Sequence, residues 1–284
     1  QTRTSIRKKK SLRIISVFIM KKLIVSGDSC TEPYFYSPLH PETDFDFPKW
    51  PEYVGKHLGM EVINLARGGA GNEFIYSSIQ DVIMEIPNEE IGLVIAGWSQ
   101  SHRYDWELGK RSHWQSRRVS KFGDIYNWVK KSLRLYIAFQ NLCENNNLPY
   151  AHFQMNDIFE RYLRGLQEND IEKSQGITYK KNFEGDFYKD LKSIIQLLVQ
   201  YDTHIKNFIG WPGVSKQMRL RIIGDLQSGW PLSHRESFTM HAHIIGNNEL
   251  EQDNKGLTIS KLDDHPNEDG HKAMAKFIIQ NLKL

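Results

Sequence analysis

The sequence predicts an α/β protein built on a mostly parallel central sheet flanked by helices. Short aliphatic runs at 23–25, 61–65, 91–97 and 150–155 each stop at a turn rich in Gly, Asp, Ser or Asn. Continuous apolar runs of this kind mark strands buried on both faces. Stretches with helical spacing of apolar residues come between and after them. Strands alternating with helices in this way form parallel βαβ units. No linker, repeat or low-complexity stretch divides residues 20–284, which read as one domain.

The first run, Leu23-Ile24-Val25, ends at Ser26-Gly27-Asp28-Ser29. Open α/β sheets bind ligands beyond the C-terminal ends of their strands. A serine on such a turn can present its hydroxyl there as a nucleophile, although Gly, Asp and Ser are also ordinary turn residues. A loop rich in Pro and aromatics covers 33–50, and a helix at 51–58 opens with Pro51 and stops at Gly59, as the conformational preferences of those residues favour. The second strand runs into Arg67-Gly68-Gly69-Ala70-Gly71-Asn72, and the helix at 73–84 carries Phe74, Ile75, Ile79, Val82 and Ile83 on its apolar face.

The run at 91–97 is the clearest buried strand and ends at Trp98-Ser99-Gln100. A helical insertion is expected around 104–145, most clearly at 124–143, where Ile125, Trp128, Val129, Tyr136, Phe139 and Leu142 share a side. The strand at 150–155 leads to Asn156-Asp157. Residues 157–260 are poorly legible: a helix at 186–199, a strand at 239–245 and Gly-Trp-Pro corners at Trp211 and Trp230 are their main features. The loop Asp263-Asp264-His265-Pro266-Asn267 then leads into a last helix at 270–282.

At 284 residues, with 39% hydrophobic and 25% charged residues, the composition is that of an ordinary soluble globular chain. Two cysteines, Cys30 and Cys143, are too few for a disulfide framework. The formal charge of +3 conceals a split. Eight of the 37 Lys and Arg lie in residues 1–22, which hold no acid, so 29 basic residues face 34 acidic ones in 23–284, a net of −5. A nucleic-acid surface is therefore not indicated.

Residues 1–19 have the basic and apolar regions of a signal peptide, but the apolar run is short and lacks a small-residue cleavage site before the first strand. Met20 looks like a natural start, so 1–19 read as a disordered or non-native extension. A basic tail for a membrane or nucleic acid is the alternative. No apolar run approaches the roughly 18 residues of a membrane span. These features predict a cytoplasmic protein of the producing cell, with virion association as the variant.

Four loops thus fall together: 27–29, 67–69 and 97–99 at strand ends, and 263–271 before the last helix. They offer a serine, glycine N–H donors, a polar side chain and a histidine beside carboxylates, which are the parts of nucleophilic acyl transfer. Here the chain resembles the SGNH hydrolases, the GDSL-type esterase and lipase superfamily, over roughly 20–100 and 260–284. Gly27-Asp28-Ser29 is similar to the nucleophile block and Asn64-Leu-Ala-Arg-Gly-Gly69 to the second block. Gly97-Trp98-Ser99 stands where the third block has Gly-x-Asn, and His265-Pro266-Asn267-x-x-Gly270-His271 is similar to the last block. Motif order is more specific than any single motif.

The resemblance implies a three-layer α/β/α, flavodoxin-like fold and ester hydrolysis without cofactor or metal. Ser29 would be the nucleophile and His265 the base. The N–H groups of Ser29 and Gly69 and the Ser99 hydroxyl would hold the oxyanion, with Asn156 or backbone donors alone as the alternative. Trp98 and Asn72 are expected at the substrate. The chain departs from the pattern twice. Ser99 replaces the asparagine, and Leu262 stands at the usual acid position, so the orienting role falls to Asp263, which lies nearer that position, or to Asp264, or is lost. The aromatic first loop, Gly-Ala-Gly-Asn-Glu and Gly-Trp-Ser also resemble versions encoded by bacteriophages.

Tyr34, Phe35, Tyr36, Trp98, Trp106, Trp211 and Trp230 favour a carbohydrate ester among small-molecule esters. A non-catalytic carbohydrate-binding or virion module that keeps the fold is the second reading. His241-Ala-His243 would place two imidazoles on one face of a strand, but no third metal ligand accompanies them. Asp263, Asp264, His265, Asp269 and His271 form a dense His/Asp cluster, which the role of His265 implied by the resemblance accounts for better than a metal does. The oligomeric state is not legible.

Overall fold

A computed structural model describes residues 20–108, 113–118, 124–156, 158, 187–214, 238–245 and 256–283. Its centre is β1 (Lys22–Ser26), whose Leu23, Ile24 and Val25 are all wholly buried. Burial of consecutive residues means that both faces of the strand are covered. Around it run α1 (Trp50–Leu58), β2 (Glu61–Asn64), α2 (Asn72–Glu85), β3 (Ile91–Trp98), α3 (Ile125–Asn145), β6 (Tyr150–Gln154), α4 (Phe187–Asp202) and β7 (Phe208–Ile209). A hairpin of β4 (Arg103–Leu108) and β5 (His113–Arg118) interrupts this series, and α5 (Met240–Ile245) and α6 (Glu268–Asn281) follow it.

The central sheet has five strands in the order β2-β1-β3-β6-β7, every neighbouring pair parallel. Strand alternation splits its side chains between two cores. Leu23, Val25, Leu93, Ile95, Ala151 and Phe153 pack with residues of α1, α5 and α6, whereas Ile24, Val94, Ala96 and Trp98 pack with residues of α2, α3 and α4. The fold is therefore three-layered α/β/α. Skipping the hairpin, its strand order is the flavodoxin-like 2-1-3-4-5, which reverses between β1 and β3 and opens a crevice beyond their C-terminal ends. Among the described residues, no helix is long and apolar enough to cross a membrane.

Two expectations are corrected. The first part of the insertion around 104–145 is the antiparallel β4–β5 hairpin rather than helix. Residues 239–245 contain a short helix instead of a strand, started by Thr239, whose Oγ1 accepts the Ala242 N–H at 3.3 Å. His241 and His243 therefore do not share a strand face. The expected helix of 186–199 is α4, while Trp230 lies outside the described residues.

Buried polar groups in the sheet are paired. His152 is wholly buried, with Nδ1 accepting the Trp98 Nε1–H at 2.9 Å and Nε2 within 2.8 Å of the Lys206 carbonyl. That pairing requires the neutral ring with its proton on Nε2, and burial pulls the pKa down to about 3. His271 on α6 is likewise pulled down to about 3, first by burial and then by the charges of Lys49 and His265. The unfolded chain takes up these protons below about 6.5 while the folded chain refuses them, so stability falls as pH drops through that window. Denaturant titrations at pH 7 and pH 5 should show a loss of about 2 kcal/mol for each such histidine; an unchanged midpoint would contradict the neutral assignment.

Candidate active site

The turn after β1 is held by the carboxylate of Asp28, which is fully buried. Its Oδ1 accepts the Cys30 N–H at 3.2 Å. Its Oδ2 accepts from Ser99 Oγ at 2.9 Å, Asn156 Nδ2 at 3.2 Å and the Arg103 guanidinium at 3.4 Å. A buried carboxylate is tolerated only when compensated in this way. The donors come from the ends of β3 and β6 and the start of β4, so this network fixes the turn that carries Ser29. Burial pushes the neighbouring Cys30 thiol well up, which keeps it protonated.

The last loop brings the partners. Asn267 caps α6 by accepting the Gly270 N–H at 2.9 Å, and its amide donates to the carbonyls of Gly256 and Thr258. Ile259 N–H bonds to His265 O, and Asn267 N–H to Leu257 O. The resulting loop presents His265 with Nε2 2.8 Å from Ser29 Oγ and Nδ1 2.6 Å from Asp263 Oδ1. A carboxylate can only accept, so Nδ1 carries the proton and Nε2 is left to accept from the serine hydroxyl. Burial alone would raise the Asp263 pKa, but hydrogen bonds from the Ser37 hydroxyl and from the His265 ring and N–H hold it below the usual carboxylate range.

The geometry separates the two carboxylates left open by the sequence. Asp263 meets the His265 ring, whereas Asp264 turns to His241, with 3.1 Å between His241 Nε2 and Asp264 Oδ2. Asp263, Asp264 and His265 are the described group that could approach a metal ion, but the Asp263 and His265 atoms are already bonded to each other and to Ser29.

Gly69 has φ +75°, in the region that favours glycine. Its loop is held by the hairpin, which the sequence reading missed. Asp105 of β4 accepts the N–H groups of Gly71 and Phe74 at 2.9 and 3.0 Å, capping α2 from outside. Arg67 donates to Trp114 O and Ser116 Oγ of β5. The N–H groups of Ser29 and Gly69 have no acceptor among the described residues.

Three expected residues sit differently. The Ser99 hydroxyl is fully buried and donates to Asp28, so its proton is not directed at an oxyanion. Asn72 is buried, accepting the Ser99 N–H at 2.7 Å and donating to Ser132 Oγ at 3.0 Å. Trp98 continues β3 and is wholly buried, its ring 4.7 Å from that of Tyr136. Both are thus engaged inside the protein rather than presented at the surface of the crevice. Trp211 is buried as well, while Tyr34 and Tyr36 are exposed at 91% and 57%. They flank Phe35, whose ring stacks on His265 at 4.3 Å.

Removing the Ser99 hydroxyl leaves Asp28 short of a donor. Ser99→Ala should lower unfolding free energy by about 1–3 kcal/mol, and Ser99→Asn should cost more because the larger amide enters a closed site. Denaturant melts of both variants measure this. Wild-type stability in both would remove Ser99 from the Asp28 network.

No protein-family model matches the sequence, and no curated protein does. Among solved structures, the chain is similar to a G-D-S-L family protein from Desulfitobacterium hafniense, with 14% identity, 92% of this chain and 99% of that one covered, and a TM-score of 0.42. It is similar to the acetyl xylan esterase AlAXEase at 15% identity, 91% and 98% coverage and a TM-score of 0.40. A member of the lipolytic protein G-D-S-L family from Veillonella parvula has 12% identity, 92% and 97% coverage and a TM-score of 0.37. The structural neighbours of this chain thus include lipolytic G-D-S-L proteins and acetyl xylan esterases.

Proposed function

We propose that the protein is a serine hydrolase of carboxylic esters, with Ser29 as nucleophile, His265 as general base and Asp263 as the acid that orients it. The observation that carries this reading is the unbroken relay from Ser29 Oγ through the His265 ring to Asp263, at 2.8 and 2.6 Å. Its position beyond β1, next to the strand-order reversal, is where an α/β sheet presents ligands.

In this reading His265 Nε2 takes the Ser29 proton as Oγ attacks the ester carbonyl. Asp263 holds the ring tautomer and stabilises the imidazolium that forms. The N–H groups of Ser29 and Gly69 receive the developing oxyanion, with Gly69 held in place by the hairpin. Backbone donors lead in this role, since the one hydroxyl proton of Ser99 goes to Asp28, while Asn156 gives Asp28 one amide N–H and keeps a second. His265 then returns the proton to the leaving alcohol, and water hydrolyses the acyl-serine by the same route in reverse. The substrate class we favour is an O-acylated carbohydrate, supported by the exposed Tyr34 and Tyr36 on either side of Phe35, the residue that stacks on His265; tyrosines are rigid rings with a polar tip suited to a sugar face.

Ser29→Ala should lower ester turnover by about 10⁴-fold or more and abolish labelling by a fluorophosphonate probe, with the fold intact. A labelled or active variant would exclude the serine mechanism, and an unlabelled wild type would favour a binding module. Asp263→Asn should likewise cost about 10⁴-fold in turnover, while Asp264→Asn costs little. Assaying both on p-nitrophenyl acetate checks the assignment; equal small losses would mean that Asp263 does not orient the base. Turnover on O-acetylated polysaccharide beside p-nitrophenyl esters of increasing acyl length tests the substrate class.

A further inference from the structure

We propose that Ser37 is a fourth member of the relay, a positioning residue that fixes the carboxylate of Asp263 for His265; this rests on the serine-hydrolase reading above. Ser37 lies in the aromatic loop between β1 and α1, more than two hundred positions from Asp263 in the chain, and is fully buried. Its hydroxyl accepts the Leu39 N–H at 3.3 Å and donates to Asp263 Oδ2. The other carboxylate oxygen, Oδ1, takes the ring Nδ1 and the backbone N–H of His265 at 2.6 and 3.2 Å. Each oxygen of Asp263 therefore has its own donors.

That division matters because the carboxylate torsion of an aspartate is soft, with a broad well. Bonds to Oδ1 alone let the plane rotate and the imidazole lose a fixed acceptor. A donor on Oδ2 removes that freedom, and a hydrogen bond to an ionised group is among the stronger kinds. The same loop grips the last one at two further points. Phe35 stacks on His265, and His40 Nε2 lies 2.8 Å from Ser260 Oγ, which accepts the Asp263 N–H at 3.1 Å. The position of the acid is thus set from the N-terminal part of the chain as well as from its own loop.

The test compares Ser37→Ala and Ser37→Thr with wild type, each also in an Asp263→Asn background, by fluorophosphonate labelling rate, kcat and KM, with thermal melts as a fold control. Labelling reads activation of Ser29 apart from binding of the ester. We expect Ser37→Ala to slow labelling and kcat together by about 10- to 100-fold with KM little changed. Ser37→Thr, which keeps the hydroxyl, should recover most of the rate. In the Asp263→Asn background Ser37→Ala should cost nothing more, because Ser37 acts through that carboxylate. Labelling of Ser37→Ala at the wild-type rate, a rise in KM alone, no recovery by threonine, or an undiminished extra loss in the Asp263→Asn background would each overturn the proposal and leave the serine reading intact. An unlabelled wild type would overturn both.

Discussion

Asp28 is an anion in a place that water does not reach, and the C-terminal edge of the sheet is arranged around satisfying it. Its four donors, Cys30 N–H, Ser99, Asn156 and Arg103, come from segments that follow or adjoin β1, β3, β6 and the hairpin. Deleting one partner of a buried charge costs far more than the pair contributes, because the remaining charge stays desolvated. The strand ends are therefore held in register by a penalty for leaving, which makes the turn at Ser29 stiff. A stiff turn is what a nucleophile needs if its hydroxyl is to meet an imidazole without reordering at each encounter.

The remaining parts are held from outside their own elements. The Gly69 loop has no side chain of its own that could cap α2; Asp105, on the hairpin, accepts the Gly71 and Phe74 N–H groups instead. The helix α6 starts at Asn267, whose amide ties it to Gly256 and Thr258. Gly270 is needed there because a Cβ would lie 2.1 Å from the Leu257 carbonyl. Ser29, the Gly69 loop and His265 are thus each braced by residues distant in sequence. Nearest-neighbour patterns do not record such bracing.

That division accounts for what was legible in the chain. The sheet strands β1, β3 and β6 were readable because burial on both faces writes itself as continuous apolar residues, the half-buried edge strand β2 from a short apolar run before a Gly-rich turn, and α2, α3 and α6 because a one-sided core imposes a 3.6-residue period. The motifs around Ser29 and Gly69 stand out in the sequence because their turn residues sit at strand ends, and that around His265 because it precedes the cap of the last helix. The hairpin was not. Tyr104, Trp106 and Leu108 do alternate, a period-two signal that could have found it. Its pattern is inverted, however, with Asp105 buried and Tyr104 exposed, since the inward face serves to cap α2. Trp98 was misplaced because a tryptophan beside a motif suggests a ligand, whereas β3 continues through it into the core. The 239–245 segment has β-branched residues and histidines at strand spacing, but Thr239 starts a helical turn that packs against α6. Which carboxylate meets His265 was ambiguous on spacing alone; a side chain reaching two residues forward, from Asp263 to the His265 N–H, separates it from Asp264.

The relay joins two residues 236 positions apart. Bringing them together carries the loop-closure entropy of nearly the whole domain. At synthesis rates of about 5–20 residues per second, Ser29 precedes His265 out of the ribosome by roughly ten to fifty seconds. During that interval the sheet can begin to form, but the hydroxyl has no acceptor to activate it. On the serine-hydrolase reading, activation of Ser29 therefore waits until the segment from Gly256 through α6 has docked and brought His265 to it.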